Sequence, residues 1–376
     1  MNIPTVTDLS LPDEPGGTVL DAVAAYVERY VAFPSPAALT AAALWLAHTH
    51  LLGAAESSPR FALLSPEPGS GKTRALEVFE LLVPSAMHVL SASPPAIFRS
   101  IESDPPALLF DECDAIFGRR NDDGAEDLRA LLNAGHRRGA TIPRCVGPAH
   151  EVRKFPVYAA VALAGLGDLP DTLMSRAVVV RMRRRAPHES VTPFRRRLAA
   201  PEGGELRDRL ATWATGVADR LTGAWPEMPP GVTDRPADVW EPLLAIADAA
   251  GGTWPERGRT ACVELCRTNV SRDASLGIRL LADLRTIFGD EDRLGTETVL
   301  ERLYALEEAP WADLRGRPMD ARGLARRLGN YEVASAQLKV DGHKVRGYRR
   351  EDLWDAWQRY LAPDPAQAVP AVPPVP

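Results

Sequence analysis

Residues 63–79 read LLSPEPGSGKTRALEVF, and the run Gly69, Ser70, Gly71, Lys72, Thr73 has the residue types that hold a chain of phosphates. Glycines let backbone N–H groups turn inward around an anion. A helix starting just after them adds the positive end of its dipole. A lysine and a hydroxyl at the helix start can reach the β- and γ-phosphates and a Mg²⁺ ion. The expected contact set is Pro68, Gly69, Ser70, Gly71, Lys72, Thr73 and Arg74. Pro66 stands where the usual pattern begins with glycine; it stiffens the turn and removes one N–H, but the residues from Gly69 onward are intact. About forty residues downstream, PALLFDECDAIF ends an apolar run with Asp111 and Glu112. Asp111, with Thr73, is expected to hold Mg²⁺, and Glu112 to polarise the water that attacks the γ-phosphate. ATP hydrolysis with Mg²⁺ is the chemistry this pair of motifs implies, with Lys72 and Glu112 catalytic.

A third basic group extends the pattern. In LPDTLMSRAVVVRMRRR, Arg176 directly precedes an apolar run. On these motifs the chain resembles the AAA+ superfamily, most closely the MCM-like and superfamily-3-like helicase ATPases. The resemblance implies an arginine finger: Arg176 would reach a neighbouring subunit's γ-phosphate and make hydrolysis depend on assembly. A structural role, with Arg176 ending a loop or pairing with Asp171, is the alternative. It also implies a pore hairpin, from ATIPRCV and EVRKFPV joined by GPAH. Arg144, His150, Arg153 and Lys154 are then the DNA phosphate contacts, against the plainer reading of a solvated surface hairpin. Arg235, opening DRPADVWEPLLAIADAAG, matches a sensor-two arginine on a lid helix, in contact with the γ-phosphate; pairing with Asp238 or Glu241 competes with that role. The polar residue that such helicases carry at the end of the fourth strand is missing: ALAGLGD offers glycines or Asp168.

From Phe33 to Tyr360 the chain also resembles an uncharacterised AAA+-like family of actinobacterial phage, plasmid and integrative-element proteins, often fused to primase–polymerase modules. THLLGAAESSPRFALLSPEPGSGKTRALEVFE, LNAGHRRGATIPR, WEPLLAIADAAGGTWPERGR and VRGYRREDLWDAWQRYL carry that resemblance. It implies a DNA helicase or translocase for mobile-element replication, self-associating into a ring, expected hexameric, with single-stranded or forked DNA and a possible primase as partners. An ATP-dependent switch acting on a protein partner, without unwinding, is the other reading.

Elements must position these groups. RFALLS, HVLSAS, PALLFDE, VYAAVALAG and AVVVRMR are short apolar runs that each hand over to a helical pattern. Strands buried on both faces look like this, which predicts a parallel sheet covered by helices. The fold expected is α/β: a three-layer phosphate-loop NTPase of AAA+ type with a helical lid and a small winged-helix-like domain. Its parts are a flexible start (1–17), an ATPase core with preceding helices (18–204), a lid (205–309), a DNA-binding domain (310–361) and a Pro-rich tail (362–376) expected to be disordered. Between Arg315 and Arg350 ten basic residues stand against three acids, an asymmetry that marks nucleic-acid faces or merely a solvated helical surface. Lys344, Arg346, Tyr348 and Arg349 are expected on the wing, and Trp354, Trp357 and Tyr360 in the core.

The whole chain is unremarkable in bulk: 376 residues, 45% hydrophobic, 25% charged, net charge −6. No apolar run reaches the roughly 18–20 residues of a membrane span, and the amino terminus lacks a secretion-signal layout. The four cysteines are scattered, so a zinc site is not expected and a reducing cytoplasm is.

Overall fold

A computed structural model describes residues 14–89, 93–114, 123–146, 151–273, 276–306, 309–314, 317–340 and 343–361. His150, Arg315, the tail from 362 and most of the expected amino-terminal lead-in lie outside the described residues. The chain divides into two compact units, residues 1–269 and 270–376.

Unit one opens with α1 (Gly16–Tyr30) and α2 (Pro36–His50). Ser35 caps α2 through its hydroxyl, which accepts from the Ala38 N–H at 3.3 Å, and Pro36 occupies the first turn, where its missing N–H is harmless. Since α2 is apolar all round, it is buried all round. There follow β1 (Arg60–Ser65), α3 (Lys72–Leu82), β2 (Ala86–His88), α4 (Pro94–Ser103), β3 (Ala107–Phe110), α5 (Asp123–Ala134), the hairpin β4 (Thr141–Val146) and β5 (Glu151–Pro156), β6 (Val161–Leu166), α6 (Asp171–Met174), β7 (Ala177–Arg181), α7 (Arg196–Leu221), α8 (Asp234–Ala250) and α9 (Trp254–Asp273). Strands β2-β3-β6-β1-β7 form one parallel sheet in that spatial order.

Alternation along the strands divides the core. Phe61, Leu63, Leu109, Ala162, Ala164, Val178 and Val180 meet the helices α1, α2, α3, α7, α8 and α9. Ala62, Leu64, Leu108, Phe110, Val161, Leu163 and Val179 face the other way, toward α4, α5 and the hairpin. The unit is therefore α/β, with both sheet faces covered, as continuous apolar strands require. Trp45 of α2, Phe61 of β1 and Phe79 of α3 pack together with ring centroids 5.6–5.8 Å apart, and Trp45 Nε1 donates to the Pro59 carbonyl at 3.1 Å. Such pairs add about 0.5–1.5 kcal/mol each beyond their burial. Here they fix β1 and α3, the two elements that flank the glycine loop.

Arg60 is fully buried at the start of β1, and among the described residues no carboxylate pairs with it. Its Nε and Nη2 donate to the Leu132 carbonyl (3.1 and 3.0 Å) and Nη1 to the Ala159 carbonyl (2.8 Å). Burial pulls its pKa down to about 9. It fastens β1 to the end of α5 and to the approach to β6.

The expected 205–309 lid is divided between the units. α7 starts at Arg196, and its Leu206, Leu210, Trp213 and Val217 pack into the same core as α1 and α2. Residues 276–304 belong instead to unit two: α10 (Leu276–Phe288), β8 (Arg293–Gly295), α11 (Thr296–Tyr304), a 3₁₀ turn (Pro310–Ala312), α12 (Ala321–Gly329), β9 (Ala336–Val340), β10 (His343–Arg349) and α13 (Arg350–Tyr360). The boundary expected near 310 falls inside a continuous core, because Leu280, Leu284, Val299 and Leu303 bury with Trp311, Leu324, Tyr348 and Trp357. The sheet is antiparallel, in the order β8-β10-β9. Gly347 permits the close β8–β10 approach, since a Cβ there would lie 2.1 Å from the Leu294 carbonyl oxygen. Trp357 is buried as expected, but Trp354 and Tyr360 are exposed. Successive steps of three residues turn about 300° around a helix, so Trp354 and Tyr360 stand about 60° to either side of Trp357, at the margins of the buried face.

Three histidines of unit one, His48, His50 and His136, are held neutral mainly by burial, each pulled from 6.5 down to about 4. Their folded pKa is depressed, so their contribution is complete above pH 6.5 and is lost as pH falls through 4. For the fully buried His48 this is on the order of 3 kcal/mol. Urea midpoints should fall between pH 7 and pH 4.5, and His48→Gln should flatten that fall; equal falls in both proteins would contradict the assignment.

Candidate functional site

Because the five strands are parallel, their carboxyl ends share one edge of the sheet, and the glycine loop leaves β1 there. Gly69 (φ +78°) and Gly71 (φ +85°) take left-handed backbone that side chains rarely adopt. Gly71 caps α3, whose first residue is Lys72. Lys72 is buried; its Nζ donates to Ser65 Oγ at 2.5 Å and Ser70 Oγ at 3.2 Å. The Ser65 hydroxyl in turn donates to the Glu67 carbonyl at 2.7 Å. Burial lowers the Lys72 pKa, opposed by Asp111, Asp114 and Cys113 nearby. Thr73 stands exposed on the same first turn, as do Pro66 and Pro68 on the loop. Arg74 is turned away from the expected role: it pairs with Glu77 at 2.8 Å and lies over the Phe194 ring at 4.6 Å.

The acids reach the same edge from β3. The Glu112 N–H donates to Asp111 Oδ1 at 3.0 Å, and Glu112 itself has φ +52°. A non-glycine residue in that region is strained by roughly 1–3 kcal/mol, and such residues gather at functional sites. Since β6 lies between β1 and β3, its carboxyl end separates loop and acids. There the Gly167 N–H donates to the Ser65 carbonyl at 3.0 Å, and Asp168 pairs with Arg181. Asp114, which sequence reasoning did not single out, accepts from the Leu166 N–H at 2.9 Å. Cys113 is buried tightly enough that a Cβ on Gly165 would lie 2.5 Å from its sulfur. Burial, with Asp114 and Asp111, pushes its thiol up to about 12. Thr73, Asp111, Glu112 and Asp114 are hard oxygen donors. Among the described residues no cluster of three or more His, Cys, Asp or Glu could hold a metal by itself. That donor set fits Mg²⁺, which binds through one or two carboxylates and substrate phosphates rather than a protein cage.

Arg176 lies at the opposite edge. It precedes β7, and the Arg60 N–H donates to its carbonyl at 3.0 Å. The six residues of β1, at about 3.3 Å each, set the two edges about 20 Å apart. Arg176 donates through Nη1 to the Thr172 carbonyl. Among the described residues no carboxylate pairs with it, Asp171 included; burial and Arg235 lower its pKa. It opens into a cleft of about 340 Å³ lined also by Glu56, His136, Arg137, Arg138, Arg235, Asp238 and Glu241. Arg235, expected at the γ-phosphate, is thus beside Arg176 and not beside Lys72 of the same chain. Its neighbour Asp234 has φ +54°, so strained residues mark both edges.

The nucleic-acid candidates are placed unevenly. Arg144 pairs with Asp127 at 2.5 Å and lies over Phe98. Arg153 pairs with Glu102 at 2.7 Å and lies over Phe155. Both brace the hairpin on α5 and α4, since they share the strand face of buried Ile142 and Phe155. The opposite face carries Pro143, Cys145, Lys154 and Val152, the last 71% exposed. In unit two, Lys339 and Lys344 are exposed register partners and Arg346 is exposed; Arg349 is exposed and pairs with Glu351 at 3.2 Å. Tyr348 is 1% exposed, in the core and unable to touch DNA. Arg322 and Arg326 are exposed on α12, two basic residues that sequence reasoning counted but did not assign.

Comparison with known proteins gives a family. The chain is 41% identical over 194 residues to an uncharacterized 28.9 kDa protein in the xis 5′ region of Saccharopolyspora erythraea, covering 51% of this chain and 73% of that protein. It belongs to that protein's family. Residues 181–360 match a family described as a protein of unknown function (DUF3631). Among solved structures, the A-form apo structure of the NrS-1 C-terminal region aligns over 88% of this chain and 75% of that one, at 8% identity and a TM-score of 0.42, a likeness that carries no argument. No helix among the described residues is long and apolar enough to cross a membrane.

Gly71→Ala should destabilise unit one by about 1–2 kcal/mol through its left-handed backbone. Gly53→Ala, with nothing within 4 Å of the added Cβ, should shift the urea midpoint little. Equal midpoints for both variants would contradict the loop geometry.

Proposed function

We propose that the protein is an ATP-hydrolysing motor of AAA+ type, a DNA-dependent helicase or translocase serving a mobile element, whose active sites are completed between copies. The observation that carries this reading is the division of the functional groups between two sheet edges. Lys72, Thr73, Asp111 and Glu112 gather at one edge and Arg176 and Arg235 at the other, too far apart to serve one nucleotide. In a ring, the arginine edge of one copy would face the glycine loop of the next. Loop N–H groups and Lys72 would bind the β- and γ-phosphates, Glu112 would take the proton of the attacking water, and Arg176 from the adjoining copy would offset charge on the transferred group. Mg²⁺, which Thr73 and Asp111 would hold, would supply charge neutralisation at the phosphates. Placement of β6 between β1 and β3 supports the AAA+ assignment. The element order and β8-β10-β9 sheet of unit two support a winged-helix reading, with α12, Lys344 and Arg346 toward DNA.

A second reading, an ATP-driven switch on a protein partner, draws support from the hairpin. Two of its expected DNA contacts are engaged within the chain, and its outer face is mostly uncharged. ATPase rates with and without single-stranded DNA separate the two: absence of stimulation would favour the switch.

The shared-site claim has a direct test. Lys72→Ala and Arg176→Ala should each abolish turnover, and Glu112→Gln should bind ATP without hydrolysing it. Mixing the first two in equal amounts should restore about a quarter of wild-type turnover, the fraction of randomly formed interfaces that carry both intact groups. A mixture no more active than its components, or normal hydrolysis by Arg176→Ala alone, would sink it.

A further inference from the structure

The segment that leaves β7 carries four arginines within five residues, and the structure treats one of them differently. Arg181 pairs with Asp168. Arg183 and Arg185 both turn to Glu189, Arg183 Nη2 to its carboxylate at 3.2 Å and Arg185 Nη1 to its carbonyl at 3.4 Å. Arg184 instead crosses to the glycine loop, where its Nε donates to the Pro68 carbonyl at 2.9 Å. Among the described residues no carboxylate pairs with it, and it is exposed.

Its position follows from the sheet. The Met182 N–H donates to the Leu64 carbonyl at 2.7 Å, prolonging the β1–β7 ladder one residue beyond Arg181. The chain is thereby carried along the loop: a Cβ on Gly71 would lie 3.9 Å from Met182 Cε, and one on Gly69 3.7 Å from Arg184 Nε. Glycine at 69 leaves that side open. The loop thus has a second cation at its mouth, delivered by the segment that follows β7. A guanidinium anchored through Nε still has its two Nη groups to offer an anion, in the fork geometry that matches phosphate.

We propose that Arg184 is a nucleotide-positioning residue acting within its own chain, using the Pro68 carbonyl as anchor and its Nη groups to bind a phosphate of the nucleotide. This rests on reading residues 66–73 as the phosphate site. It assigns to Arg184 the part that the sequence suggested for Arg74, whose guanidinium is committed to Glu77 and Phe194.

The test is equilibrium titration of the full-length protein with ATP at about 50 mM and about 500 mM salt, with Mg²⁺. R184Q keeps an anchoring N–H but removes the charge. It should bind ATP about tenfold more weakly than wild type at low salt, a difference that shrinks to about threefold at high salt as screening weakens the lost contact. R184K, which keeps the charge but loses the fork and the Nε anchor, should fall between wild type and R184Q at low salt. Wild-type protein that binds ATP equally well as R184Q would overturn the assignment. So would a loss in R184Q that does not change with salt, which would mark Arg184 as a brace of the loop only. Wild-type protein that binds no ATP at all would sink the phosphate-site reading itself, a result separate from either.

Discussion

Parallel pairing of β1 with β6 on one side and β7 on the other sorts the polar residues of unit one between two edges of the sheet. Register does the sorting: Arg60 sits level with Val161 and Ala177, and Ser65 with Leu166. Whatever precedes a strand is sent to the arginine edge, and whatever follows one to the loop edge. An antiparallel β7 would have delivered Arg176 to Lys72's own side of the sheet. The apolar strands suit the parallel arrangement, in which crossover helices cover both of their faces.

Around that sheet the protein holds its charged groups by different means according to burial. Arg60 is buried and satisfied by two carbonyl oxygens, with no carboxylate paired to it among the described residues; Lys72 is buried against two hydroxyls. Removal of water makes such groups costly when unpaired and strong when they meet an incoming anion. At the surface, Arg74, Arg144, Arg153, Arg181 and Arg183 have carboxylates beside them. Pairs exposed to this degree contribute little to stability, but they withdraw their arginines from ligand binding. Arg176, Arg184 and Lys154 have no carboxylate beside them among the described residues, and the same holds for Arg235, Lys344 and Arg346. That distinction, more than the count of basic residues, bears on where anions would bind.

The units differ in what their packing can tell. In unit one the aromatic trio Trp45, Phe61 and Phe79 fixes the loop's flanks, and the strained backbone of Glu112 and Asp234 coincides with groups that sequence motifs also select. In unit two the core takes in α10, β8 and α11, which sequence reasoning gave to a lid. Amphipathic helices are legible in sequence, but the partner that covers the apolar face is not. For the same reason Tyr348, a residue of a basic stretch, proved to be core.

The sequence alone determined the local chemistry: glycines at 69 and 71 where left-handed backbone is required, Lys72 at the start of a helix, adjacent acids ending β3, and strands apolar enough to demand cover on both faces. These are properties of neighbours along the chain, set by backbone sterics and by the period of burial. Only the tertiary structure decided the rest. It set Arg176 and Arg235 together and far from Lys72, turned Arg144 and Arg153 onto acids of their own chain, and brought Arg184 to the loop in place of Arg74. Each of those outcomes depends on strand order and register, which join residues distant in sequence through hydrogen bonds that no local pattern encodes.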